Sequence, residues 1–331
     1  MTKVPHPSSR VLAALSTDRA LGPYAAYAVG GLADLFFAPH NEGDLIEGLD
    51  WARANRLPVF MLGSGTNLLI RDGGMRGLVV YLGPLTRSWH LEVRERNPDS
   101  LVVRVPSAFS KAELLEWALD NSCAGLEFSA GIPGTLGGAV YMNAGTRWGS
   151  YASVIESVRI WVPDVGPVEK TSSEMGFKYR GHGEGSLSSG SVVLSADLRL
   201  NISSDGGESS RAIVDRILSY RGSRQALERP SCGSVFKNPE NSSRGAGRLI
   251  ESAALKGTRR GGAQLSTKHA NFLLNRGNAT AADIEELIEF TQQRVKEEFS
   301  ISLEPEVIVM GEKRRLDEER YVLREASGSS F

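Results

Sequence analysis

Between residues 131 and 145 the chain carries five glycines in fifteen positions, with Thr135 and Asn143 among them. Such a backbone must turn tightly and can approach a ligand closely, because glycine tolerates φ > 0 and has no side chain to hold a partner away. Gly131, Ile132, Pro133, Gly134, Thr135, Gly137 and Gly138 then offer exposed amides and a hydroxyl, and Asn143 adds a carboxamide. That neutral cradle suits a diphosphate or a flat heteroaromatic ring. A glycine-rich structural loop would read the same way if it stood alone.

A second loop of the same chemistry lies upstream: Gly63, Ser64, Gly65, Thr66, Asn67 and Leu68. It follows the apolar run Val59–Leu62, which reads as a buried strand. Leu68 stands where a dinucleotide fingerprint would have its third glycine, and Leu68-Leu69-Ile70 reads as more strand rather than a helix. Neither loop is followed by Gly-Lys-Ser/Thr, so a Walker P-loop is excluded.

The 331 residues are enough for two or three compact domains, and 41% hydrophobic with 23% charged residues describes a globular chain. A formal net charge of −1 gives no reason to expect nucleic acid or an anionic membrane as partner. No apolar run approaches a membrane span and the N-terminus lacks a secretory pattern, so the expected compartment is the cytoplasm. Cys123 and Cys232 make no disulfide framework, and the five histidines share no ligand spacing, so no metal site is expected. Cys232 reads either as a reactive thiol or as a buried, inert small residue.

The pattern predicts a compact α/β unit over 1–85, with a helix near Asp44–Ala54 and strands at Val59 and Gly77–Leu82. Residues 86–205 are richer in strands: Leu101–Val105, Val158–Val162 and Val192–Leu198. One helix interrupts them, opened by a capping box of Ser110 and Glu113, with Leu114, Trp117 and Ala118 turned inward. A polar, glycine-containing boundary leads into an α+β segment over 206–312. Its helices are expected at about 211–220, about 246–254 and from Thr280, the last with Asp283 completing a capping box. Residues 313–331 form a charged tail whose signs alternate.

With these blocks in view, the chain resembles the UDP-N-acetylenolpyruvoylglucosamine reductases, the MurB-type flavoenzymes of bacterial cell-wall synthesis. The resemblance runs from about Val29 to Gly311. It rests on Gly30–Asp34, Gly63–Leu69, Gly131–Gly138, Tyr179-Arg180, Gly233–Pro239, Gly262–Ser266 and Leu303–Val307, in that order. Only 53 residues separate Arg180 from Ser234, as in the shorter subclass that lacks an extra substrate-covering loop.

The resemblance implies an α+β fold: a two-subdomain FAD-binding region of the PCMH type over 1–85 and 86–205, then a C-terminal α+β substrate-binding domain. It implies that both glycine loops bind FAD and that NADPH is the hydride donor. The substrate implied is UDP-N-acetylglucosamine enolpyruvate, reduced to UDP-N-acetylmuramate for peptidoglycan, and with it a part in cell shape and division. A monomer is expected. Hydride addition to a vinyl ether conjugated with a carboxylate develops enolate charge on that carboxylate, which calls for a cation and a hydrogen-bond donor. Arg180 suits the first task. Glu306 could serve beside it if protonated or sharing a proton. By family position Ser234 donates the proton to the adjacent carbon. Lys237 and Asn238 fit a diphosphate or carboxylate contact, and Tyr179 a substrate-positioning hydroxyl.

Taken singly, each of these residues also reads as an ordinary surface or turn residue. The chain departs from the family at Ala25–Ala28, at Val105–Ala108 where a glycine-containing turn is common, and at Ala253-Ala254 in place of Ala-Gly. Two rival readings are a different oxidoreductase of the same flavin architecture and a non-catalytic binding protein. Neither glycine block holds the His or Cys of a covalent flavin link, and Arg180, Ser234 and Glu306 are all present.

Overall fold

A computed structural model describes residues 7–314 except residue 88. Residues 315–331, most of the expected charged tail, lie outside the described residues. The chain divides into two discontinuous units, one built from residues up to 15, 37–64 and 79–224, the other from 16–36, 65–78 and 225 onward.

The first unit is organised on an antiparallel sheet in the order Gly166–Thr171, Ile155–Val162, Val192–Ile202, Ser100–Pro106, Glu92–Arg96, with Cys123–Ala124 against the end of the long central strand. The three strands expected over 86–205 are present in this sheet, each extended by a few residues. Register explains the two faces. Val103 stands opposite Leu198 and Val105 opposite Ala196, and all four are buried. Arg104, opposite Asp197, points the other way and grips its carboxylate with Nε and Nη2, each at 2.7 Å.

Three helices pack on the apolar face: Lys111–Asp120 through Leu114, Leu115, Ala118 and Leu119, Leu136–Met142 through Leu136, Ala139 and Val140, and Glu208–Arg224 through Val214 and Ile217. Each fully buried aliphatic side chain there contributes about 1.5–3 kcal/mol. At Ser110 the forward half of the expected capping box forms, with Glu113 N donating to Ser110 Oγ at 3.5 Å. Trp117 is only half-buried, while Lys111 takes an inward place. The helix Leu136–Met142 lies inside the second glycine-rich segment and is an element the sequence pattern does not predict.

In the second unit, the helix Ala281–Phe299 starts as its sequence predicts, with Thr280 and Asp283 forming both halves of a capping box. Asp72 also accepts from the amides of Ala281 and Ala282, each at 2.9 Å, so the first turn is doubly satisfied. Ile284, Leu287, Ile288 and Val295 are buried with Leu249, Ile250, Ala263, Leu265 and Leu273 in one core. Strand Leu68–Ile70 pairs in parallel with Ile308–Met310, bringing the end of the first glycine loop beside the end of the described chain.

Candidate active site

In the first unit the two glycine regions meet. A Cβ on Gly63 would stand 2.7 Å from Thr135 Oγ1, so only glycine lets the loops approach this closely. The second loop is held from beneath by three backbone bonds: Lys111 N to Gly134 O at 3.0 Å, Leu136 N to Phe109 O at 2.9 Å and Gly137 N to Ser107 O at 2.8 Å. Its outer edge is uncommitted. The amides of Ser64, Gly131, Gly134 and Thr135 donate to no acceptor among the described residues. A row of orphan donors with an exposed Ser64 is what a diphosphate or a heteroaromatic carbonyl edge requires. The residues present therefore fit FAD.

Asn143 ends the Leu136–Met142 helix in a left-handed conformation, φ 41°, and is buried. Its carboxamide is engaged by protein at both ends, donating to Lys178 O at 2.9 Å and accepting from Ala152 N at 3.0 Å. It thereby fixes the turn in which Lys178 and Gly181 exchange backbone bonds and Tyr179 and Arg180 form the tip. Arg180 is itself at φ 54°, donates from Nη2 to Gly145 O at 2.7 Å, and lies 5.0 Å over the Tyr179 ring. A backbone carbonyl and an aromatic ring thus help to aim the guanidinium.

The second unit brings Ser234 and Glu306 together. Val235, next to Ser234, accepts the Glu306 N–H at 2.7 Å, and Val235 N in turn donates to Asn271 O at 2.9 Å. Asn67 Nδ2 donates to Glu306 O at 2.9 Å, tying the first glycine loop to the same segment. Gly233 precedes Ser234 at φ 76° with open space where a side chain would be. The Ser234 hydroxyl has no hydrogen-bond partner among the described residues.

Lys237 pairs with Glu304 at 2.6 Å, and Asn238 Oδ1 accepts from Ala246 N at 2.9 Å, helping to cap the Ala246–Ser252 helix. Cys232 Sγ donates to Leu68 O at 3.4 Å, and burial pushes its thiol well up, which makes it inert.

The departures from the family pattern have local accommodations. Ser107 presses its Cβ on the position a Gly137 Cβ would occupy, 2.9 Å away, which the glycine there permits. Tyr27 is fully buried and its carbonyl accepts from Asn275 Nδ2 at 2.8 Å. Ala254 follows the Ala246–Ser252 helix at φ 55°, a conformation that glycine adopts more cheaply.

Residues 33–172 match the family described as FAD binding domain. With the orphan amides of the two glycine loops, this defines the chain as an FAD-dependent oxidoreductase. Residues 225–310 match the family described as UDP-N-acetylenolpyruvoylglucosamine reductase, C-terminal domain. The chain is 40% identical over 299 residues to the UDP-N-acetylenolpyruvoylglucosamine reductase of Synechococcus sp. (strain RCC307), covering 90% of this chain and 94% of the relative. It is 36% identical to that of Listeria monocytogenes serotype 4b (strain CLIP80459), covering 91% and 96%. It is also similar to the crystal structure of UDP-N-acetylenolpyruvylglucosamine reductase (MurB) from Thermus caldophilus, with TM-score 0.73 and 32% identity over 88% of this chain and 98% of that one. The chain belongs to the UDP-N-acetylenolpyruvoylglucosamine reductase family. Among the described residues no helix is long and apolar enough to cross a membrane, and no group of His, Cys, Asp and Glu could hold a metal ion.

Proposed function

We propose that this chain reduces UDP-N-acetylglucosamine enolpyruvate to UDP-N-acetylmuramate at the expense of NADPH, as a cytoplasmic monomer supplying peptidoglycan precursor. FAD, when bound, supplies the relay that carries hydride from NADPH to the vinyl carbon of the substrate. In this reading Gly63–Leu68, Gly131–Thr135, Gly137, Gly138 and Asn143 shape the cofactor cradle. Arg180 holds the substrate carboxylate and balances the charge that develops on it, with Glu306 sharing a proton there. Ser234 delivers the proton to the carbon next to the carboxylate. Tyr179, Lys237 and Asn238 position the nucleotide sugar; for Lys237 this means exchanging Glu304 for an anionic ligand. Residues 1–85 and 86–205 serve as the flavin subdomains and 206–312 as the substrate domain, with 313–331 as a tail.

The observation that carries the reading is the uncommitted Ser234 hydroxyl beside the backbone bond that fixes Glu306. The hydroxyl is not spent on the neighbouring backbone and so is available to a ligand. The test is an anaerobic visible spectrum of the purified protein. The absorption of oxidised flavin should bleach with NADPH and return with the enolpyruvyl sugar. Bleaching without return would remove the proposed substrate, and protein that takes up no flavin from added FAD would remove the reading altogether.

A further inference from the structure

The antiparallel strands Gly145–Thr146 and Gly149–Ser150 are joined by only two residues, Arg147 and Trp148. Both are exposed at the tip of this hairpin, Trp148 by 43%. The hairpin is anchored from behind, where Thr146 Oγ1 donates to Phe128 O at 3.2 Å and accepts from Trp148 N at 3.2 Å. Beside the tip stands the last turn of the Glu208–Arg224 helix, a place where the helix dipole favours Arg221 and Arg224. The Trp148 and Tyr220 rings meet edge to face, with centroids 5.4 Å apart and planes at 87°. Arg147 lies 5.1 Å from the Tyr220 ring and 5.8 Å from the Trp148 ring, and Arg224 lies 5.0 Å from Tyr220. Two guanidiniums thus converge on one ring. Neither has a hydrogen bond or a carboxylate partner among the described residues. Contact with a ring leaves the guanidinium N–H groups unspent, and those groups grip phosphate bidentately. An exposed indole face beside them stacks a flat base. The cluster also borders the candidate site. Arg221 Nη2, from the same helical turn, donates to Gly131 O at 2.9 Å, and Gly145 O, three residues before Trp148, accepts from Arg180 Nη2 at 2.7 Å. Three residues of chain span at most about 10 Å.

We propose that Arg147, Trp148, Tyr220 and Arg224 bind the adenosine 2′-phosphate end of NADPH, so that this cluster sets the preference for NADPH over NADH. The proposal rests on the reading of this chain as an NADPH-driven reductase. That reading engages the orphan amides of the glycine loops with FAD, and Tyr179, Lys237 and Asn238 with the nucleotide sugar. It leaves the hydride donor without residues of its own. NADPH differs from NADH by one phosphomonoester, which carries a charge of about −2 at pH 7. That group hangs on the ribose carbon next to the glycosidic bond, so it lies close beside the base. Guanidiniums 5.0–5.8 Å from the stacking rings match this arrangement. The diphosphate of a nucleotide sugar leaves from the far side of its ribose and puts its charge further from the base.

Calorimetric titration of the FAD-loaded protein with adenosine 2′,5′-bisphosphate, adenosine 5′-monophosphate and UDP-N-acetylglucosamine isolates the 2′-phosphate. The bisphosphate should bind about a hundredfold tighter than the monophosphate. Arg147→Gln and Arg224→Gln should each remove about tenfold of that difference. Trp148→Ala should weaken both adenosine ligands about tenfold, through lost stacking. In anaerobic bleaching of the flavin, the double arginine variant should lower the efficiency of NADPH relative to NADH about a hundredfold. Where a variant fails to fold, the comparison of the two adenosine ligands on the parent protein still tests the proposal. Equal binding of those two ligands, or an unchanged NADPH-to-NADH ratio in the double variant, overturns it. A loss confined to UDP-N-acetylglucosamine overturns it as well and marks the cluster as a uridine nucleotide site. A flavin that neither NADPH nor NADH bleaches overturns the functional reading instead, and the bisphosphate titration still decides the cluster.

Discussion

The side-chain amide of Asn67 donates to the backbone carbonyl of Glu306 at 2.9 Å, across 239 residues of sequence. The adjacent backbone bond runs from Ile308 N to Asn67 O at 3.0 Å, so the loop residue is held by both its side chain and its main chain. One asparagine at the end of a glycine loop therefore sets the position of a residue assigned to the chemistry. Replacing it with alanine leaves a half-buried carbonyl without its donor, at a cost of about 1–3 kcal/mol. Asn67→Ala should lower the denaturant midpoint and reduce kcat more than it raises the KM for NADPH. Unaltered steady-state kinetics in a destabilised variant would reduce Asn67 to a purely structural role.

Ser234→Ala removes the proposed proton donor and nothing that holds the fold, since the hydroxyl makes no described contact. Bleaching of the flavin by NADPH should proceed at the parent rate. Reoxidation by the enolpyruvyl sugar should slow by about 10²–10⁴-fold, the usual worth of a positioned acid. Stopped-flow measurement of the two half-reactions separates these, and equal slowing of both would contradict the assignment.

Gly63→Ala pushes a methyl group to 2.7 Å from Thr135 Oγ1. Overpacking of this kind costs about 1–3 kcal/mol, and here it pries apart the two loops that carry the orphan amides. The variant should purify with less FAD and bind added FAD more weakly. Combining it with Thr135→Ala, which removes the obstructing hydroxyl, should recover part of the loss by fluorescence titration. Failure to recover would mean that the loops do not communicate through this contact.

The Lys111 ammonium makes stability depend on pH in a fixed direction. Its folded-state value of about 7 lies below the value of about 10.4 expected in the unfolded chain. Between these limits the unfolded state binds more protons, so Lys111 makes stability rise with pH across that window; below pH 7 its destabilisation is complete. Lys111→Met should therefore be more stable than the parent at pH 7, by a few kcal/mol, and should lose the alkaline rise. Urea denaturation at several pH values between 6 and 10 reads this directly.

Ala254 sits at φ 55° just past the Ala246–Ser252 helix, and it is exposed. The left-handed conformation costs a residue with a Cβ about 1 kcal/mol, and glycine escapes that cost. Ala254→Gly should raise stability by about that amount without changing turnover. A decrease in the denaturation midpoint would show that the unfolded-chain entropy of glycine wins.

Local chemistry was legible in the sequence wherever a short pattern decided the outcome. Thr280 and Asp283 announced a helix start because the box lies within four residues, and Val59–Leu62 and Leu68–Ile70 showed as strands by their apolar runs. The helix Leu136–Met142 was hidden because Gly137 and Gly138 have poor helical propensity; carbonyls of Ser107 and Phe109, distant in sequence, take its first amides. Lys111 was hidden differently. It lies three residues before Leu114 and seven before Ala118, on the apolar stripe itself, and a charged residue on that stripe was the available signal. At the candidate site, residue types were readable in order, but the bond from Asn67 to Glu306 and the approach of Gly63 to Thr135 depend on tertiary proximity that no local window contains.

The parallel pairing of Leu68–Ile70 with Ile308–Met310 also has a temporal side. During synthesis the first of these strands leaves the ribosome some 240 residues before its partner exists. Through that interval its hydrogen-bonding edge waits unmatched, and the unit to which it belongs cannot close until residue 310 has emerged. Contacts of such long sequence separation form late and slowly. A nascent chain halted before that point would carry the Gly63–Leu68 loop without the strand that steadies its exit, so assembly of the Asn67–Glu306 link comes as one of the last events in the making of this molecule.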